Sequence, residues 1–297
     1  MLIGFIGDVH GQVFHALALV TQWQQETGRQ LDLLLQVGDM GAYPDPSRMD
    51  AASLRYLAAE PSQADFSRLL RLEGTQAAQA HALRRSLASP IYFIRGNHDD
   101  VAWLGALPCE DATGTAAVDP FDLLRYVPDG VVLSSDGLQI ACLGGIESPE
   151  EDAAGEAAID PHAYRTLRER TAGTLDVLLT HDAPYGVSVG YHGQIQGSRL
   201  ITDLLETIQP RYHVAGHLAL HGPRAYGATT SLVLEGLVAS SLWQPEVGGL
   251  APGCLAVLDT GIGLLWPVTE PWLARFPTPF AADAWLATFT ARQGPMP

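Results

Sequence analysis

The feature that most restricts what this chain can fold into is a recurring pair: a short apolar run that ends, usually beside a glycine, in Asp, His or Asn. It occurs five times. Residues 2–6 end at Gly7-Asp8, with His10 two positions on; residues 31–37 end at Gly38-Asp39; residues 91–94 end at Arg95-Gly96-Asn97-His98-Asp99; residues 174–180 end at His181; and residues 212–215 end at Gly216-His217. Apolar runs without a regular polar break suit strands buried on both faces. Strands that release polar side chains at their carboxyl ends predict an α/β protein with its site along that edge. The packed core anchors each strand end, and the loops that follow are free to bring side chains together.

The rest of the chain fits around these runs. Residues 13–25 carry Phe14, Leu17, Ala18 and Val20 at helical spacing. Residues 50–87 are helix-compatible, with Leu54, Leu57, Leu69, Leu72 and Leu83 as expected apolar contacts. Pro44, Pro46 and Pro61 divide the stretch. It reads as a helical insertion at about 42–88, part of which can overhang the site. Residues 131–134 and 138–143 predict strands about an Asp136-Gly137 turn, 147–156 an acidic solvated loop, and 162–170 and 200–208 helices. Residues 231–234 and 254–259 read as edges of a second sheet, and Trp266 and Trp272 as packing residues of a tail after about 262. There is no internal repeat. The expectation is one domain over 1–297 with two sets of strands, stacked as sheets and flanked by helices; 47% hydrophobic content supplies its core.

Charge narrows the partners. Seventeen Lys and Arg stand against 33 Asp and Glu, a formal net charge of -16. Such a surface repels long polyanions, so extended nucleic acid is disfavoured, while a local site can still hold a small phosphate ester. Cys109, Cys142 and Cys254 have neither the even count of a disulfide scaffold nor the spacing of a zinc knuckle. Free thiols, no basic leader and no apolar stretch near the roughly 20 residues of a membrane span predict a cytoplasmic protein off the membrane. No specific protein partner can be read.

The run ends carry metal-binding chemistry. Carboxylate oxygens and imidazole nitrogens suit borderline divalent ions, and Asp8 and His10 can be presented to one ion by a tight turn. Asp39 has two oxygens and can bridge two cations about 3.5 to 4 Å apart. Any one histidine beside a strand is ordinary; the joint pattern is not. His15, His81, His162, His192 and His213 lie outside it and read as structural or surface residues. There is no Gly-x-Ser-x-Gly elbow and no phosphate-binding Gly-x-x-x-x-Gly-Lys loop.

Gly7-Asp8-Val9-His10-Gly11, Gly38-Asp39, Gly96-Asn97-His98-Asp99, His181 and Gly216-His217, in that order over roughly residues 1 to 260, resemble the motifs of the calcineurin-like metallophosphoesterase superfamily. The resemblance implies a four-layer αββα sandwich of two stacked mixed sheets flanked by helices. It also implies two divalent ions, manganese, iron or zinc. Asp8, His10 and Asp39 would hold one ion, and Asp39, Asn97, His181 and His217 the other. His98 would stand beside the leaving group with Asp99 orienting its ring.

One position departs from the family pattern. Gly216-His217-Leu218-Ala219 has alanine where a last metal histidine is usual. His221 is a candidate substitute through a local bulge; otherwise the first ion is completed by water or the centre holds one ion.

The expected activity is hydrolysis of a phosphate monoester or diester by a metal-activated water, with Asn97 and Arg95 balancing charge on the phosphoryl oxygens and His98 protonating the leaving oxygen. Arg199, after a Gly-rich loop, is read as a substrate contact or a surface salt bridge.

Leu143-Gly144-Gly145-Ile146, Thr180-His181-Asp182-Ala183-Pro184 and residues 210–217 resemble the lariat-debranching branch of the superfamily, without its His-x-His. Arg95-Gly96-Asn97-His98 is similar to protein serine/threonine phosphatases, without their Asp-Arg-Gly. A non-catalytic metal- or protein-binding scaffold is the alternative that Ala219 favours, and a protein serine/threonine phosphatase is a second.

Overall fold

The first strand, β1 (Leu2–Ile6), shows why its sequence is apolar throughout: Ile3 and Phe5 point to one face, Leu2 and Ile6 to the other, and both faces are covered. Helix α1 (Val13–Thr27) follows and stops at Gly28, in the left-handed conformation with φ 66°. The computed structural model describes residues 1–58, 60–110, 112–147, 155–189, 193–218, 221–237, 249–277 and 280–291.

From α1 the chain enters β2 (Leu33–Gln36), parallel to β1. The insertion comes next as α2 (Ala51–Leu57), α3 (Asp65–Leu69) and α4 (Gly74–Ser86), broken at Pro61 by a 3-10 turn. Strand β3 (Ile91–Phe93), helix α5 (Val101–Gly105), β4 (Ala116–Ala117) and β5 (Leu124–Tyr126) complete this part of the first sheet.

The chain then crosses to a second sheet with β6 (Val132–Ser135), β7 (Leu138–Leu143), α6 (Pro161–Arg168) and β8 (Val177–Thr180). A ribbon of β9 (Ser188–Val189) and β10 (Ile195–Gln196) leads to α7 (Arg199–Ile208), β11 (Tyr212–Ala215), β12 (His221–Tyr226) and β13 (Thr229–Val233). It returns to the first sheet as β14 (Leu255–Asp259) and β15 (Leu264–Pro267), and ends in α8 (Ala282–Ala291).

The strand orders are β15-β14-β1-β2-β3-β5-β4 and β12-β13-β11-β8-β7-β6. Ile3, Phe5, Leu35 and Val37 of the first sheet pack against Ile140, Cys142, Val177, Leu179 and Val214 of the second. The outer face of the first sheet is covered by α1, α3, α4 and α8, and that of the second by α6 and α7. This is a four-layer αββα sandwich with two mixed sheets. Each fully buried Leu, Ile, Val or Phe contributes about 1.5–3 kcal/mol of transfer free energy.

Two expectations about the sheets are corrected. Residues 255–259 pair antiparallel with β1 in the first sheet, and β13 lies inside the second sheet between β12 and β11. Hydrophobic pattern marks a strand but not the sheet it joins; β1 had a free edge opposite β2, and the returning chain fills it. Leu54, expected as an apolar contact, is 45% exposed, whereas Leu69, Leu72 and Leu83 are buried. Trp272 is buried in the core and Trp266 packs against it. Most of the acidic loop, 148–154, and His192 lie outside the described residues. Among the described residues no helix is long and apolar enough to cross a membrane.

Candidate metal centre

The carboxyl ends of β1, β2 and β3 in one sheet and of β8 and β11 in the other open onto the same edge of the sandwich. Buried Gln36 sets the first two exits: its amide donates to Gly7 O at 3.1 Å, and its oxygen accepts Gly38 N–H at 3.0 Å. Asp39, His10 and His217 have φ of 52°, 46° and 63°, left-handed values uncommon outside glycine. Three of the six non-glycine residues with positive φ among the described residues are therefore motif residues.

Two motif glycines make room for side chains of other motifs. A Cβ on Gly96 would fall 2.1 Å from Asp39 Oδ1, and one on Gly216 would fall 2.2 Å from Asp8 Oδ1. Any side chain there would push a carboxylate out of the centre.

Asp39 faces two ways. Its Oδ1 is 3.4 Å from His181 Nε2, and its Oδ2 is 3.9 Å from His10 Nε2. Two groups result, Asp8 with His10 and Asp39, and Asp39 with His181 and His217, each with ligand atoms within 4.8 Å of one another. Asn97 Oδ1 joins the second group, 3.0 Å from His181 Nε2. His181 Nδ1 donates to Val37 O at 2.9 Å, so Nε2 carries the lone pair. Asp8 accepts the His217 N–H at 3.1 Å.

The electrostatics fit a cation. Burial, and then Asp39, drive the Asp8 carboxyl well above the usual carboxylate range. Burial alone pushes Asp39 up, but the rings of His181, His10 and His98 outweigh it and hold it at about 2. Burial lowers His10 and His181, and lowers His217 to about 4, so these rings are neutral ligands near pH 7. Two buried carboxylates and three neutral imidazoles, with ligand atoms gathered within 4.8 Å in each group, are a set that suits a divalent ion, which would neutralise the carboxylates.

His98 stands beside this set, its ring 5.4 Å from that of His10, and its backbone N–H donates to Asp39 Oδ1 at 2.7 Å. Its Nδ1 meets Asp50 Oδ2 at 2.9 Å. Asp50 caps α2 and also accepts hydrogen bonds from Tyr43 Oη and Ser53 Oγ, both at 2.7 Å. Partial burial pushes Asp50 up, yet the hydrogen bonds from His98, Ser53 and Tyr43 hold it well below the usual range. Burial opposes protonation of His98, but Asp39 and Asp50 raise its pKa above that of a free imidazole.

Two sequence expectations are corrected. Asp99 does not hold the His98 ring; its carboxylate turns back to accept Ala42 N–H at 2.8 Å and Gly96 N–H at 2.7 Å, stapling the loops after β2 and β3. Burial and Asp39 raise it to about 6. Arg95 does not point into the centre. Its Nε and Nη2 lie 2.8 and 2.7 Å from Asp129 Oδ2, and it donates to Glu156 O and Ala158 O. An arginine at the base of this loop is better used joining the two sheets' exits than reaching past Asn97. Arg199 lies with its guanidinium 3.9 Å from the centre of the Tyr185 ring. His221 begins β12, with a register shift before Arg224; Ala219 and the His221 side chain lie outside the described residues.

Sequence reading missed Asp50. Asp50-Ala51-Ala52-Ser53 before an apolar stretch is a helix-start signal, which locates the cap but not its reach to a loop 48 residues away.

A family model described as calcineurin-like phosphoesterase matches residues 1–220. The chain belongs to this family. As a calcineurin-like phosphoesterase it is similar to the lariat debranching enzymes of Drosophila pseudoobscura pseudoobscura and Drosophila melanogaster, each 23% identical over 249 residues, 73% of this chain. The chain spans 42% of the length of those relatives. A solved crystal structure shares the fold with a TM-score of 0.53 at 14% identity, covering 90% of this chain and 98% of that one. The family's divalent-metal chemistry and the Asp and His groups above agree in kind.

Proposed function

We propose that this calcineurin-like phosphoesterase hydrolyses a small phosphate ester at a centre of two divalent ions, manganese, iron or zinc, and that it works in the cytoplasm. Asp8, His10 and Asp39 are proposed to hold one ion, and Asp39, Asn97, His181 and His217 the other. The ions, when bound, supply an acidified water and positive charge for the phosphoryl oxygens.

The chain's own residues do the rest. Asp39 spans the two groups and fixes their separation. Val37 O holds His181 in the tautomer that ligates. His98 donates a proton to the departing oxygen, and Asp50 fixes the ring and favours its charged form. The observation that carries the reading is the Asp50–His98 pair, because neither residue is needed merely to hold a metal.

The test is metal analysis of the purified protein together with turnover of bis-p-nitrophenyl phosphate in added manganese. Bound metal with turnover supports the reading; no bound metal and no turnover at saturating metal would sink it and favour a scaffold role.

A further inference from the structure

Beside β11 a further strand opens onto the edge that holds the centre. β13 runs parallel to β11, with Ala215 level with Val233, and Leu234 N–H carries the ladder one bond further to Ala215 O at 2.8 Å. Two positions beyond that rung stand His217 on one exit and Glu235 on the other. Residues 231–234 are buried and end at Glu235-Gly236, the same apolar run and polar end that mark the five motif exits. Glu235 lies beyond residues 1–220, which the family model matches.

The Glu235 backbone is locked against the Asp8 turn. A Cβ on Gly7 would fall 1.9 Å from Glu235 O, Glu235 N–H donates to Gly253 O at 3.2 Å, and Leu237 N–H donates to Asp8 O at 2.8 Å. The residue is half-buried. Burial and Asp39 do most to raise the Asp8 carboxyl, and the charge of Glu235 adds to them, so the two carboxylates share one neighbourhood.

The two ion positions are unequally served. Asp39, Asn97, His181 and His217 surround one, whereas among the described residues only Asp8, His10 and Asp39 gather at the other, and alanine at 219 has no donor atom to add. Glu235 belongs to neither group of ligand atoms lying within 4.8 Å of one another, so its part is that of an outer partner. From this we infer that Glu235 is a positioning residue for the ion at Asp8, His10 and Asp39: its carboxylate holds water in the place of a fourth side chain and adds negative charge there. The inference rests on the two-ion reading above. Outer partners of this kind change metal affinity by about 10–100-fold.

The experiment titrates the metal-free full chain with manganese and counts the free ion by its electron paramagnetic resonance signal. The unsubstituted protein is expected to bind two ions, the tighter at His181 and His217. Glu235→Gln keeps the shape and removes the charge; it should weaken the looser ion about tenfold or more and leave the tighter one unchanged, which also reports a folded centre. Glu235→Asp restores the charge and should recover part of the loss. Unchanged affinity in Glu235→Gln, equal weakening of both ions, or Glu235→Asp no better than Glu235→Gln overturns the inference, with two bound ions leaving the reading above standing. Weakening of the looser ion by His221→Ala and not by Glu235→Gln overturns it in favour of His221. Fewer than two ions on the unsubstituted protein overturns the two-ion reading, and this one with it.

Discussion

His98 Nδ1 and Asp50 Oδ2 lie 2.9 Å apart, although 48 residues separate them in the chain. The contact ties the first turn of α2, in the insertion, to the loop that leaves β3. Asp50 is itself held by Tyr43, Ser53 and the α2 backbone, so the imidazole is oriented by a fixed carboxylate. Asparagine in its place preserves the helix cap and removes the charge. Asp50→Asn is expected to lower kcat by about 10–100-fold for an alkyl leaving group and much less for p-nitrophenolate, which departs without a proton. The basic limb of the pH profile should move to lower pH, because the raised His98 pKa falls back. Metal content by plasma mass spectrometry should not change; parallel loss of metal would refute the positioning role.

Metal removal should destabilise the fold. Asp8 and Asp39 are buried together, and a divalent ion binds the folded arrangement but has no such site in the unfolded chain. At an ion concentration a hundredfold above Kd the gain is about 2.7 kcal/mol. Thermal unfolding with manganese and with EDTA measures it. His181→Ala should remove most of the difference, and an unchanged difference would assign the ions elsewhere.

His15 offers a pH test away from the centre. The residue is 3% exposed on α1, its ring 4.5 Å from that of Phe280, its Nδ1 has no hydrogen-bond partner among the described residues, and burial lowers its pKa to about 4. The unfolded ring takes up a proton near 6.5 and the folded one does not. Its contribution is therefore fully present above pH 6.5 and is lost as pH falls towards 4, by an amount on the order of 3 kcal/mol. His15→Phe should raise stability at neutral pH by about 1 kcal/mol and flatten the decline between pH 6.5 and 4. Urea midpoints at several pH values decide it; an equally steep decline in the variant would contradict the assignment.

Arg95→Met separates a structural arginine from a phosphate ligand. The change leaves Asp129 and two carbonyls without their donor, and breaking such a buried pair costs about 3–5 kcal/mol. The melting temperature should fall while KM for bis-p-nitrophenyl phosphate stays within about threefold in the folded protein. A tenfold rise in KM with little loss of stability would return Arg95 to the substrate.

Sequence alone determined the five strands that end in motif residues, their apolar character and the polar residues at their ends, because these depend on local pattern: uninterrupted apolar runs are satisfied inside a sandwich, and glycine before a carboxylate or imidazole is readable wherever it stands. Asp8, His10, Asp39, Asn97, His98, His181 and His217 were all legible in that way, and the tertiary structure brings them together. It alone decided which sheet β14 joins, that Asp50 rather than Asp99 meets His98, and that Arg95 turns to Asp129. Asp99 and Arg95 are neighbours of the motif in sequence, but the rotamer of a charged side chain follows the nearest unsatisfied donors and acceptors. For Asp99 these were backbone N–H groups of two loops, and for Arg95 they were a carboxylate and carbonyls fixed only once the sheets had stacked.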